Sequence, residues 1–92
     1  MRITCTERFQ RDFKKLSEQE KNHFYSVLPK IQNVLGKPHL HGGIGIRKLH
    51  SSGIYEVRMG LRLRVVFGLK GKKIILHRIG DHETVQAYLK NL

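Results

Sequence analysis

The sequence contains a single cysteine, Cys5, among its 92 residues. One thiol excludes an internal disulfide and any metal site built from several cysteines. Free cysteine usually behaves as a small apolar side chain and is commonly buried. We therefore expect Cys5 to be a core residue rather than a catalytic thiol.

Long apolar runs are also missing. No segment approaches the roughly 20 residues that a membrane-spanning helix needs, and residues 1–5 lack the long apolar segment of a secretory signal. We therefore expect a cytoplasmic protein that does not contact the membrane. Repeats, low-complexity tracts and linkers are absent as well, while hydrophobic residues make up 39% of the chain. These features predict one folded domain over residues 1–92.

Acidic residues are scarce. The chain has 7 of them and 18 lysines and arginines, so the net charge is +11 with neutral histidines. Such an excess favours a polyanionic partner, most often nucleic acid, because binding releases the counterions of the polyanion. A basic surface kept for solubility, or one neutralised by an acidic protein partner, would give the same composition. The charge alone leaves these alternatives open.

The N-terminal half is predicted to be helical after a short strand at residues 2–5. Phe9, Phe13 and Leu16 recur at helical spacing and predict a first helix. Ser17 and Glu20 have the spacing of a capping box, so a second helix should begin at Ser17. The apolar stripe of the second helix consists of Phe24, Val27, Leu28, Ile31, Val34 and Leu35.

Proline and glycine mark the limits of the second helix. Pro29 lies inside it and should bend it, because proline removes one backbone donor. Gly36 and Pro38 follow in the order expected at a helix C-terminus. Beyond them, residues 39–45 are rich in glycine and histidine, which predicts a loop.

Residues 54–70 alternate with the period of two that a half-buried strand requires. One face of this region carries apolar side chains: Tyr55, Val57, Met59, Leu61, Leu63, Val65, Phe67 and Leu69. The opposite face carries Glu56, Arg58, Arg62, Arg64, Val66 and Lys70. If the fold leaves this second face open, it forms a surface for phosphates.

Further strands are predicted at residues 46–50 and 73–79, with turns at 51–53, near Gly60 and at Gly71–Lys72. After Gly80, residues 82–92 should form a short helix. Its anchoring residues are Val85, Tyr88 and Leu89. Two helices followed by a meander of antiparallel strands and a final helix predict an α+β fold.

Three segments of this pattern are specific in their order and spacing: Tyr-Glu-Val-Arg at 55–58, Leu-Arg-Val-Val-Phe at 63–67 and Ile-Gly-Asp-His at 79–82. Together with the first helix and the helical hairpin, they resemble the RelE/ParE superfamily of bacterial toxin components over nearly the whole chain. The resemblance implies two N-terminal helices packed on a small twisted antiparallel sheet, followed by a short C-terminal helix.

The resemblance also implies a function. RelE-like members cut mRNA without a metal ion, commonly on the ribosome, whereas ParE-like members poison DNA gyrase, and a cognate antitoxin holds both inactive. We expect a metal-independent endoribonuclease without a cofactor, whose partners are mRNA, the ribosome and an antitoxin in a hetero-oligomer. The alternatives are a ParE-like gyrase inhibitor that acts by binding and an inactive homologue that only binds antitoxin.

Metal-free RNA cleavage uses the ribose 2′-hydroxyl as nucleophile, so it needs a base, cations around the phosphate and an acid for the leaving oxygen. Arg64 matches the family arginine that binds the scissile phosphate. The alternative is a solvated arginine on an open sheet face, without a role in the reaction. His82 stands where relatives, including the YafQ-like toxins, carry arginine or histidine; it could also be a helix residue without chemistry. A nuclease would need Arg64 and His82 to face one hollow.

Glu56 and Arg58 align with two lysines of RelE that flank the substrate. Arg58 keeps the positive charge and should contact phosphate. Glu56 reverses the charge and has two interpretations, a general base or a salt bridge to Arg58 or Arg64 across the strands. His50, which precedes the central hairpin, is a rival base.

The remaining site predictions are less specific. Tyr88 stands where RelE has a tyrosine that stacks on a substrate base, but it equally fits the apolar stripe of the last helix. Additional candidates for phosphate contact are Arg47, Lys48, Arg62 and Arg78. His39 and His41 with His50 form a poor ligand set, so no metal site is expected.

Overall fold

The computed structural model describes residues 2–34, 37, 45–50 and 53–91, without the side chains of Val34 and His50. Its elements are β1 (Arg2–Cys5), α1 (Glu7–Lys14), α2 (Glu18–Val34), β2 (Ile46–His50), β3 (Ile54–Met59), β4 (Leu63–Lys70), β5 (Lys73–Gly80) and α3 (His82–Lys90). Several predictions lie outside the described residues: Leu35 of the apolar stripe, the helix end at Gly36 and Pro38, the loop at residues 39–45 except Gly45, with its pair His39 and His41, and the turn at Ser51 and Ser52. None of the described helices has the length and apolar character needed to cross a membrane.

The strands form one sheet in the order β1-β5-β4-β3-β2. Strands β2 to β5 make the predicted antiparallel meander. β1 pairs with β5 in parallel, so the sheet is mixed rather than wholly antiparallel. Antiparallel neighbours can be joined by short turns, whereas the parallel pair is separated by the helices and the rest of the sheet. The α+β fold class is confirmed.

Both predicted helices are present, and α2 begins one residue after the predicted Ser17. The Thr6 hydroxyl accepts a hydrogen bond from the Phe9 backbone N–H at 3.1 Å and caps α1. Ser17 and Glu20 form the reciprocal capping box, with N–H to side-chain distances of 2.8 and 3.1 Å. α2 then continues through Pro29.

One face of the sheet carries the main core beneath α1 and α2. Phe9 and Phe24 are both buried, and their ring centroids lie 5.6 Å apart. The sheet supplies the apolar residues that the alternation predicts, among which Val57, Val65 and Phe67 are fully buried. Burial of these side chains away from water is the main force that holds the helices to the sheet.

The opposite face is covered only in part, by α3. Val85 packs there against Ile54 and Val66, with Tyr88 and Leu89 at the margin of the cluster. Asp81 caps this helix by accepting a hydrogen bond from the Thr84 backbone N–H at 2.9 Å. Alternate residues of the strands therefore contribute to two apolar clusters, the main core under α1 and α2 and a small cluster under α3.

Two sequence predictions are wrong. The alternation puts Leu61 on the apolar face, but this residue lies in the turn between β3 and β4 and its side chain is 98% exposed. The chain turns at Gly60, whose φ of 69° favours glycine, and β4 begins only at Leu63. Cys5 is exposed rather than buried, because β1 is an edge strand.

Leu61 and Leu63 provide a matched test of this packing. The same substitution, leucine to alanine, is made at two positions that are two residues apart but differ in burial. Leu63 is only 8% exposed, so Leu63→Ala should lower the free energy of unfolding by about 2–4 kcal/mol. Leu61→Ala should change it by less than about 0.5 kcal/mol. Urea denaturation followed by circular dichroism measures both values, and equal losses would contradict the assigned start of β4.

Candidate functional site

An open hollow of about 400 Å³ lies on the sheet face that α3 leaves uncovered. It is formed by β2, β3 and β4 at the residues Gly45, Ile46, Arg47, Glu56, Arg58 and Arg64. Three of these residues are arginines and one is a carboxylate, so the formal net charge of the lining is +2. Of the residues that the strand alternation puts on this face, Glu56, Arg58 and Arg64 line the hollow.

Glu56 lies at the centre of the hollow and is the one charged residue among the buried residues of the described chain, with 2% exposure. Nη1 of Arg64 donates a hydrogen bond to Oε1 of Glu56 at 2.7 Å. Nη2 of Arg47 donates to Oε2 of the same carboxylate at 3.1 Å. Each carboxylate oxygen thus accepts a bond from a different arginine, which offsets the cost of burying the charge.

The register of the strands explains this arrangement. Arg47 is the direct cross-strand partner of Glu56 between β2 and β3. On the other side Glu56 faces Val66, so Arg64 is its diagonal neighbour two residues along β4. Direct and diagonal neighbours on one face are within reach of long side chains. Of the two sequence interpretations of Glu56, the geometry supports the salt bridge to Arg64.

Arg58 has a different environment from Arg64. It is the direct cross-strand partner of Arg64, yet it is exposed and forms no ion pair within the described residues. Arg64 is held by Glu56 and its side chain is only 19% exposed. The hollow therefore combines one fixed guanidinium with a second one that is free to bind an anion.

His82 is the first residue of α3 and is exposed. Gly80, two residues earlier, is the direct cross-strand partner of Arg64. The preceding Asp81 has a lowered pKa because Thr84 donates hydrogen bonds to it, and the positive charge of Arg62 adds to the effect. His82 is not among the side chains that line the hollow, so its approach to Arg64 stays a prediction.

Arg78 belongs to a different part of the surface. Its Nε and Nη2 donate to the two carboxylate oxygens of Asp12 on α1, at 2.7 and 2.9 Å. The Ile79 backbone N–H donates to the same carboxylate at 3.2 Å. The hydrogen bond with Asp12 raises the pKa of Arg78. Arg78 is therefore not brought together with Arg58 and Arg64.

Three further predicted residues also lie outside the hollow. Tyr88 is half-buried in the apolar cluster under α3, and its ring centroid lies 5.5 Å from that of His77, which supports the core interpretation. Lys48 pairs with Tyr55, so its register position is on the face of α1 and α2. Arg62 lies in the β3–β4 turn and, together with Leu61, lines a second hollow.

The predicted base His50 ends β2, and its side chain lies outside the described residues. His39 and His41 lie outside them as well, so the expectation that these histidines hold no metal stays a prediction. Elsewhere in the described chain, no group of three potential metal ligands is present.

Sequence reasoning missed two residues that contact predicted site residues outside the hollow, Asp12 beside Arg78 and His77 beside Tyr88. Asp12 pairs with Arg78, which lies 66 positions away. The only sequence signal for this ion pair is that Asp12 is an acidic residue among the basic residues of the first helix. His77 is the extra residue of a bulge, because Val66 pairs with Arg78 and Phe67 with Leu76. Burial lowers the pKa of His77, and the lack of a side chain at Gly68 leaves space for its imidazole.

The ion pairs of Glu56 lead to a prediction about stability. Arg64→Ala should lower the free energy of unfolding by about 3 kcal/mol, because it removes the less exposed partner of a buried carboxylate. Arg47 is 69% exposed, so Arg47→Ala should cost less than about 1 kcal/mol. Chemical denaturation of the two variants under identical conditions measures the difference, and a larger loss for Arg47→Ala would contradict the assigned geometry.

No protein-family model and no curated protein sequence matches this sequence. Solved structures do match. A chain of the RelB–RelE antitoxin–toxin complex from Methanococcus jannaschii is 19% identical, with a TM-score of 0.71 and coverage of 92% of this chain and 96% of that one. YafQ from E. coli is 21% identical, with a TM-score of 0.68 and coverage of 92% and 98%.

A chain of the YoeB–YefM complex from Staphylococcus aureus is 22% identical, with a TM-score of 0.68. The aligned region covers 89% of this chain and 97% of that one. These values describe a shared fold over nearly the whole length of the aligned chains, at low sequence identity. The chain has the fold of the RelE, YafQ and YoeB toxins.

Proposed function

We propose that this protein is the toxin component of a type II toxin–antitoxin system and that it represses translation as a metal-independent endoribonuclease acting on ribosome-bound mRNA. The fold of the RelE, YafQ and YoeB toxins supports the first part. The second part is supported by the hollow, whose arginines can hold a phosphate. It is also supported by the sequence segments that resemble the mRNA-cleaving members.

The main support for the proposal is the hydrogen bond from Arg64 to Glu56, which fixes Arg64 in an open, positively charged hollow. A guanidinium has five N–H donors in a planar fork that fits two phosphate oxygens. Arg64 is fixed by the buried carboxylate, so it needs little rearrangement when charge develops on the phosphate. Arg58, exposed on the adjoining strand, supplies a second positive charge beside it.

In the proposed reaction the ribose 2′-hydroxyl gives its proton to solvent, and its oxygen bonds to the adjacent phosphorus. The bond from phosphorus to the 5′-oxygen breaks and leaves a 2′,3′-cyclic phosphate, while His82 donates a proton to that 5′-oxygen to give the 5′-hydroxyl. Arg58 and Arg64 stabilise the additional negative charge. Glu56 is assigned as a positioning residue because both of its oxygens already accept arginine N–H bonds.

A cognate antitoxin is the proposed protein partner. Two of the similar structures are described as complexes, RelB–RelE and YoeB–YefM. An acidic segment that folds as it binds would complement the net charge of +11 and cover the hollow. The two chains would then form an inactive hetero-oligomer.

Cleavage mapping on translating ribosomes tests the proposal. The protein should create new mRNA 5′ ends within codons. Arg58→Ala should reduce the cleavage rate by about 10²–10³-fold, because it removes a cation that stabilises developing charge. His82→Ala should reduce it by about 10²–10⁴-fold through loss of proton transfer.

Matched controls are available elsewhere on the surface. Arg2→Ala removes an exposed arginine of β1, and His23→Ala removes an exposed histidine of α2; neither should change the rate. Cleavage that survives in both Arg58→Ala and His82→Ala would overturn the assigned residues. Intact RNA together with relaxed or cleaved plasmid DNA in the presence of gyrase would instead indicate the ParE-like alternative.

A further inference from the structure

The helix α1 carries a second basic surface that is separate from the hollow around Glu56. An open depression of about 330 Å³ is lined by Arg8, Arg11, Asp12, Lys15 and Arg78. We name it the α1 basic patch. Four cations and one carboxylate give this lining a net charge of +3, and it shares no residue with the hollow.

The charges of the α1 basic patch are arranged in a line. Arg8, Arg11 and Lys15 are separated by three and four positions, so they lie on one side of the α-helix and of the turn that ends it. All three are exposed. The helical rise spaces them by about 4.5 and 6 Å along the axis, which suits successive charges of a polyanion.

Arg78 is fixed at the side of this line. Two of the five N–H donors of its guanidinium bind Asp12, and the side chain is 17% exposed. Because Asp12 also accepts the Ile79 N–H, the pair is tied to both α1 and β5. The Arg78 donors that do not bind Asp12 are therefore presented on a rigid support, while the carboxylate that could repel an anion is neutralised.

We propose that the α1 basic patch binds the phosphate backbone of double-stranded RNA, at a site distinct from the one proposed for cleavage. The lining favours nucleic acid over an acidic protein because it contains no apolar side chain, whereas protein interfaces are anchored by apolar and aromatic residues at their centre. Contacts to phosphates position a protein on a duplex without reading its sequence. The patch thus docks the protein on structured RNA and leaves the hollow open.

The test measures binding to a short RNA duplex whose 2′-oxygens are methylated, so that it does not depend on the proposed cleavage chemistry. The triple variant Arg8→Gln, Arg11→Gln and Lys15→Gln removes the line of charge. The matched control Lys70→Gln, Lys72→Gln and Lys90→Gln removes the same charge from exposed positions in the β4–β5 hairpin and at the end of α3. Circular dichroism verifies that both variants are folded.

The α1 variant should bind the duplex at least about tenfold more weakly at low salt. The slope of log K against log salt should become shallower by about 0.9 for each phosphate that the variant no longer neutralises. The control should stay within about twofold to threefold of the unaltered protein, since distant charges contribute only a screened attraction.

Equal loss of duplex affinity in the two variants would overturn the proposal, because the effect would then follow net charge alone. Undiminished binding by the α1 variant would overturn it as well. Poly-glutamate serves as a protein-like competitor: α1-dependent binding of poly-glutamate without α1-dependent binding of the duplex would assign the patch to an acidic protein. Absence of mRNA cleavage on translating ribosomes would contradict the proposed nuclease function but not the duplex site.

Discussion

A buried carboxylate shared by two arginines organises the candidate site. Glu56 is almost completely buried, and its two oxygens accept hydrogen bonds from Arg64 and Arg47 on the strands to either side. An isolated buried carboxylate would be costly, so the arginines have to remain near it. The consequence is that Arg64 occupies a defined position in a hollow that is otherwise open, and Arg58 lies beside it.

The layered arrangement of the fold keeps that hollow accessible. The helices α1 and α2 cover one face of the sheet and provide most of the core. The helix α3 covers only the part of the other face where Ile54 and Val66 meet Val85. A single face therefore contains both an apolar cluster and a charged hollow. On this face, the apolar residues of β3 and β4 form the cluster under α3, and the charged residues form the hollow.

Local patterns in the sequence predicted much of this. The period of two in β3 and β4 placed Glu56 and Arg64 on the face opposite the core, and the capping box placed Ser17 directly before the first residue of α2. Two of the differences have non-local causes. The exposure of Cys5 depends on the edge position of β1 in the sheet, and the position of Arg78 depends on Asp12, 66 residues away. No short-range pattern encodes such contacts.

The central claim is that the Glu56–Arg64 ion pair fixes the geometry of the hollow. A double-mutant cycle tests it most directly, with Glu56→Gln, Arg64→Gln and the combined variant measured by chemical denaturation. We expect a coupling free energy of about 2 kcal/mol, as for a hydrogen bond between charged groups shielded from water. A coupling within about 0.5 kcal/mol of zero would show that the two side chains act independently and would contradict the claim.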